Sequence, residues 1–139
     1  MQRLSGLKLL DEREGAGTPA KKGDRVVYNT RISLNQGDEV LLNEIRAKQL
    51  PKDMVRIEGG ATFIVHTIEL GRRQAIAGVE NALMGMKVDG YRKVRVSPHL
   101  AYRDKGIPDL IPSDAVLICE VWLRNIVRSS SVESLPGVT

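Results

Sequence analysis

The sequence predicts an α+β roll in which one short α-helix packs across an antiparallel β-sheet, and three observations carry that expectation. Segments that alternate apolar and polar residues with period two outnumber the single segment that repeats with a helical period. Short clusters of Gly, Asp, Asn and Lys separate the alternating segments, and turns of that length join antiparallel neighbours. The lone helix must bury its apolar stripe, and the sheet is the surface available to it. At 139 residues the chain has room for one core of Val, Leu and Ile but not for two ordinary domains. One domain is expected over residues 1–128, with an insertion at about 43–60 and a disordered tail over 129–139.

Along the chain, Leu7 to Glu14 alternates loosely and stops at Gly15-Ala16-Gly17-Thr18-Pro19, which marks a first strand and its end. After the turn Lys21-Lys22-Gly23-Asp24, the segment Arg25 to Leu34 places Val26, Tyr28 and Thr30 on one face and Val27, Arg31 and Ser33 on the other. Asn35-Gln36-Gly37-Asp38 is a turn by residue type, and Glu39 to Leu42 reads as the returning hairpin arm. Asn43 to Gly60 is a surface insertion, with helix formers over Glu44 to Leu50 and interruptions at Pro51, Gly59 and Gly60.

Ala61 to Leu70 sets Phe63, Val65 and Thr67 against Ile64, His66 and Ile68 and reads as one strand ending at Gly71. Gln74 to Met84 is the helix: Ile76, Val79 and Leu83 share a face, and Gly85 can end it in the left-handed conformation. Tyr91 to Val96 is a further half-exposed strand. From Ser97 to Asp114 three prolines and a glycine punctuate a long loop that carries Tyr102, Leu110 and Ile111, as loops that close over a ligand do. Ala115 to Val127 is the last strand; Leu117, Cys119, Val121 and Leu123 form one face, while Val116, Ile118 and Trp122 make the other unusually apolar. A partner, a second copy of the chain or the insertion is expected to cover that outer face.

Composition narrows the chemistry. The formal charge of +4 is spread through pairs such as Lys21-Lys22, Arg72-Arg73 and Arg92-Lys93, which read as solvated faces, and one Phe and one Trp make no stacking platform, so no nucleic acid is expected. No stretch reads as a signal peptide or a membrane span, and the single Cys119 suits a reducing compartment; the expected location is cytoplasmic. His66 and His99 stand apart from other ligand types, Cys119 sits in an apolar strand, and no phosphate-cradling loop follows Gly71 to Gly78.

The motifs Leu70-Gly71, Ile76-Ala77-Gly78-Val79-Glu80, Leu83-Met84-Gly85-Met86-Lys87-Val88, Ser97-Pro98-His99-Leu100-Ala101-Tyr102 and Gly106-Ile107-Pro108-Asp109-Leu110-Ile111-Pro112 run in an order and spacing that resemble FKBP-type peptidyl-prolyl cis-trans isomerases. The resemblance extends upstream through Gly6-Leu7-Lys8, Lys21-Lys22-Gly23-Asp24 and Val26-Val27-Tyr28. It implies a sheet wrapped around the helix with the pocket between them, no cofactor or metal, and proline-containing polypeptides as partners. It further implies Tyr28 as a pocket wall, the Ile76 N–H as a donor to a peptide carbonyl, and Tyr102 as a hydroxyl donor from the flap. Val79, Leu70, Ile111, Cys119, Ile68 and Phe63 are the implied substrate contacts.

Several positions depart from the family pattern. Val79 stands where the family has a tryptophan, Cys119 where it has an aromatic, His66 and Ile68 replace aromatics before Leu70-Gly71, and Val40-Leu41 replaces a Phe-Asp pair. Two functions follow: an isomerase with a wider, less aromatic pocket and altered or reduced specificity, or a non-catalytic binding or chaperone module using the same groove.

Overall fold

The computed structural model of the protein describes residues 5–127. In chain order the elements are β1 (Leu7–Arg13), β2 (Arg25–Leu34), β3 (Glu39–Val40), α1 (Leu42–Ala47), β4 (Val55–Glu58), β5 (Ala61–Ile64), β6 (His66–Glu69), α2 (Ala77–Leu83), β7 (Tyr91–Val96) and β8 (Leu117–Val127). Six strands form one antiparallel sheet in the order β1-β7-β8-β2-β3, with β6 also paired to β2. The sheet curls around α2, as the family resemblance implies.

The inner face holds the core. Val26, Val94, Val96, Leu117, Cys119, Val121 and Leu123 are fully covered, and α2 lays Val79, Ala82 and Leu83 on them. Each such aliphatic side chain contributes about 1.5–3 kcal/mol on burial. Gly78 lets the helix approach this closely, because a Cβ there would stand 2.4 Å from Val96 Cγ1. The helix is shorter than Gln74 to Met84: Arg73 has φ of 56° and Ile76 is the N-cap with extended ψ of 147°, so Gln74 and Ala75 belong to the approach loop. The Gln74 side chain instead accepts the Glu69 N–H at 2.8 Å.

Three expectations need correction. Ala61 to Leu70 is two strands broken at Val65, β5 pairing with β4 and β6 with β2. The break follows from partner choice: β6 closes the first half of the β2 edge, whereas β5 turns away with the inserted hairpin. The hairpin arm after residue 38 keeps only Glu39–Val40, because Leu42 is buried and opens α1. Arg92 is not on a solvated face; it lies 6% exposed on the inner side, its Nη1 donating to the Ala82 and Met84 carbonyls at 2.9 and 2.7 Å and its Nε to Glu12 Oε2 at 2.7 Å. Those carbonyls end α2 and have no helical partner, so a strand cation caps the helix.

The segment between β3 and β6 leaves the sheet where β2 changes neighbours, and it is tied back at that gap. Asn43 Nδ2 donates to the Thr30 carbonyl at 2.7 Å, and buried Asn29 donates to the Ile64 carbonyl at 2.8 Å. On the outer face Phe63 meets Trp122 edge-on at 5.3 Å, and the Tyr91 ring lies tilted against the same indole at 5.3 Å. Trp122 is thus covered in part from within the chain, whereas Val116 and Ile118 of the same face stay half-buried. The tail from Ser129 lies outside the described residues. No helix among the described residues is long and apolar enough to cross a membrane.

Candidate functional site

A cavity of about 370 Å³ opens between the inner face of the sheet and the start of α2. The strand β2 supplies Tyr28, Thr30 and Ile32, successive residues of one face, and Val40 of β3 continues that wall. Ala75, Ile76 and Val79 form the helix side, and Tyr102 reaches in from the long loop. His66, directly opposite Tyr28 in the β2–β6 ladder, stacks on its ring at 5.1 Å between centroids and 21° between planes. Leu42, Asn43 and Arg46 of the α1 region and Arg73 and Gln74 of the loop before α2 complete the rim.

The loop that carries Tyr102 is braced by its own backbone. Ile107 and Ile111 exchange N–H and carbonyl at 2.9 and 2.8 Å, Gly106 donates to the Tyr102 carbonyl at 3.0 Å, and Asp114 donates to the Arg103 carbonyl at 2.9 Å. Ile111 and Leu100 are buried beneath it, so the flap is a packed structure with its tyrosine directed to the cavity. At the opposite wall the Ile76 carbonyl accepts from the Val79 and Glu80 N–H groups at 3.0 Å each, while the Ile76 N–H has no backbone partner among the described residues. Ile76, whose N–H has no backbone partner, and Tyr102 therefore line the same cavity.

Burial dominates the electrostatics. It raises the Tyr28 hydroxyl well above the ordinary phenol range, reinforced by Tyr102, and it raises Tyr102 as well, with the Arg46 guanidinium beside that hydroxyl opposing it. Both phenols are protonated donors at neutral pH. Burial, and secondarily Arg46, lowers His66, which is neutral there. Cys119 is pushed up to about 12 by burial alone, so its thiol is core packing. Among the described residues no three His, Cys, Asp or Glu side chains gather as metal ligands. The Nε2 of His99 lies 3.1 Å from the Ser5 carbonyl, away from the cavity.

Of the residues singled out from sequence, Tyr28, Ile76, Val79 and Tyr102 line one cavity. Leu70, Ile68, Ile111 and Cys119 are buried in the core that supports it and are not among its lining residues. Phe63 is on the other side of the sheet against Trp122, because β5 follows the inserted hairpin rather than β2. Sequence reasoning left out Ile32, which the alternation of β2 could have supplied, named Val40 only as the counterpart of a family residue, and left out Leu42, Asn43 and Arg46, for which an insertion of unknown path offers no signal.

A family model for the FKBP-type peptidyl-prolyl cis-trans isomerase matches residues 16–124. FK506-binding protein 1A of Neurospora crassa is 29% identical over 125 residues, covering 89% of this chain and 91% of that protein. A 46 kDa FK506-binding nuclear protein of Spodoptera frugiperda is 30% identical over 125 residues, covering 90% of this chain but only 26% of its own length. Peptidyl-prolyl cis-trans isomerase FKBP11 of Bos taurus is 41% identical over 68 residues, 49% of this chain and 34% of that protein. The chain thus spans nearly all of one relative and about a quarter to a third of the others. With the curled sheet, the short helix and the tyrosine-bearing flap in place, the chain belongs to the FKBP-type peptidyl-prolyl cis-trans isomerase family.

Proposed function

We propose that the chain accelerates cis-trans isomerisation of X-Pro bonds in polypeptides, in a pocket wider and less aromatic than the family pattern. The convergence of Tyr102, the Ile76 N–H and Tyr28 on one open cavity carries this reading. Rotation about the imide passes through a twisted state that has lost amide resonance, over a barrier of roughly 18–20 kcal/mol in water. That state is less polar than the planar amide, so a cavity walled by Ile32, Val40, Ile76 and Val79 favours it. The Tyr102 hydroxyl and the Ile76 N–H hold neighbouring carbonyls while the bond turns, with no covalent step. Val79 leaves the floor aliphatic, which loosens the hold on the proline ring and favours altered specificity. The buried, lone Cys119 suits a reducing compartment such as the cytoplasm.

The test is an isomerisation assay on model peptides with varied residues before proline, with the wild type and Tyr102→Phe compared. Loss of one neutral hydrogen bond predicts a fall in kcat/KM of about threefold to tenfold. An unchanged rate in Tyr102→Phe removes the hydroxyl from the mechanism. No acceleration of any peptide leaves the second reading, a non-catalytic binding module, which the aliphatic floor at Val79 favours.

A further inference from the structure

We propose that this pocket selects peptides carrying an anionic side chain next to the proline, with Arg46 as the main determinant and Arg73 as a second; the proposal rests on the isomerase function above. Both guanidinium groups line the cavity, and no Asp or Glu does. Four arginines elsewhere are matched to carboxylates, Arg31 to Glu39, Arg56 to Glu58, Arg72 to Glu69 and Arg92 to Glu12, and Arg13 and Arg124 are engaged by the Tyr91 ring and by Asn29. Neither Arg46 nor Arg73 makes an ion pair with a carboxylate among the described residues. The Arg46 guanidinium lies beside the Tyr102 hydroxyl, and both residues line the cavity. The nearby acid Glu80 is not among the lining residues; its Oε1 accepts the Gly71 N–H at 3.2 Å, while its buried Oε2 has no hydrogen-bond partner among the described residues and its charge reaches Tyr28.

A ligand entering this space meets two cations on the exposed rim, beside a wall of Ile32, Val40, Ile76 and Val79, so their attraction is partly screened by water and depends on salt. The planar fork of arginine matches a carboxylate or a phosphate, and a lysine beside the proline would be repelled. Arg46 is carried by α1, in the segment between β3 and β6, so the preference belongs to that segment rather than to the sheet.

The experiment uses the full chain and two peptide series, with the variable residue X before the proline in one and after it in the other. X is Glu, Gln, Lys, Ser or phosphoserine, and kcat/KM for isomerisation is measured at low and high salt. Glu is expected to exceed Gln by about threefold to fivefold in at least one series, with Lys below Gln and the advantage shrinking at about 0.5 M NaCl. Phosphoserine against serine separates phosphate from carboxylate as the preferred anion. Arg46→Gln should bring the Glu-to-Gln ratio close to one, and Arg73→Gln should reduce it. Absence of any gain for Glu over Gln and for phosphoserine over serine in both series overturns the proposal, as does a ratio untouched by Arg46→Gln. Should no peptide be isomerised, the catalytic function fails instead. The same peptides titrated by NMR then decide anion selection separately, preferential binding of the anionic members supporting it and equal binding refuting it.

Discussion

Replacing Arg92 by Leu should destabilise the domain by about 3–5 kcal/mol, far more than an ordinary strand arginine would. The guanidinium donates to two carbonyls at the end of α2 and to Glu12, and it is 6% exposed. Leucine preserves the apolar stem but leaves the Ala82 and Met84 carbonyls without a donor. A buried acceptor stripped of its partner costs about 1–3 kcal/mol, and two are affected. The Glu12 carboxylate is 35% exposed, so water replaces its lost partner and that ion pair adds little. For a domain of this size about 4 °C in Tm accompanies each kcal/mol, which places the loss near 12–20 °C. Urea unfolding followed by Trp122 fluorescence is the assay, since the indole lies against Phe63 and Tyr91 and reports packing. Arg95→Leu, on an exposed position of the same strand, is the control and should change stability by less than about 0.5 kcal/mol. Arg92→Lys should lie between, because one ammonium cannot reach both carbonyls and the carboxylate. A loss below about 1 kcal/mol for Arg92→Leu would refute the capping role.

Two further outcomes are expected. His66 is held neutral by burial and by Arg46, so its folded pKa lies below the unfolded one. The unfolded chain therefore takes up the proton first, and stability present above the ordinary histidine range of about 6.5 is lost as pH falls through it toward the folded value. Urea midpoints at neutral and mildly acidic pH should show this fall in the wild type and a smaller one in His66→Phe; equal slopes contradict it. The Cys119 thiol, pushed up to about 12 and fully buried, should resist a thiol reagent at about pH 8 in the native state and react once the chain is unfolded. Rapid stoichiometric labelling of native protein would show that β8 is not packed as described.

The strands β2, β7 and β8 are legible because each has one buried face, and period-two alternation is a direct record of that. The helix was legible in its apolar stripe but not in its first turn, since Gln74 and Ala75 are helix-compatible residues that the left-handed Arg73 and the cap at Ile76 hold outside it. Tyr28, Ile76, Val79 and Tyr102 were found from motifs and do meet in one cavity. Phe63 was misplaced because a strand segment states which residues share a face and not which neighbour it pairs with.

What the sequence determined by itself is the class of fold, its main strands, its helix and the flap tyrosine, all of which follow from local periodicity, turn chemistry and family motifs. Tertiary structure alone decided where the segment between β3 and β6 goes and which charges it brings. It turned Phe63 onto Trp122, carried Arg46 to the pocket rim and drew Arg92 inward to end α2. The physical reason is the same in each case. A polar or aromatic side chain is compatible with several local environments, and only long-range demands, such as covering an indole or satisfying a helix end, select among them.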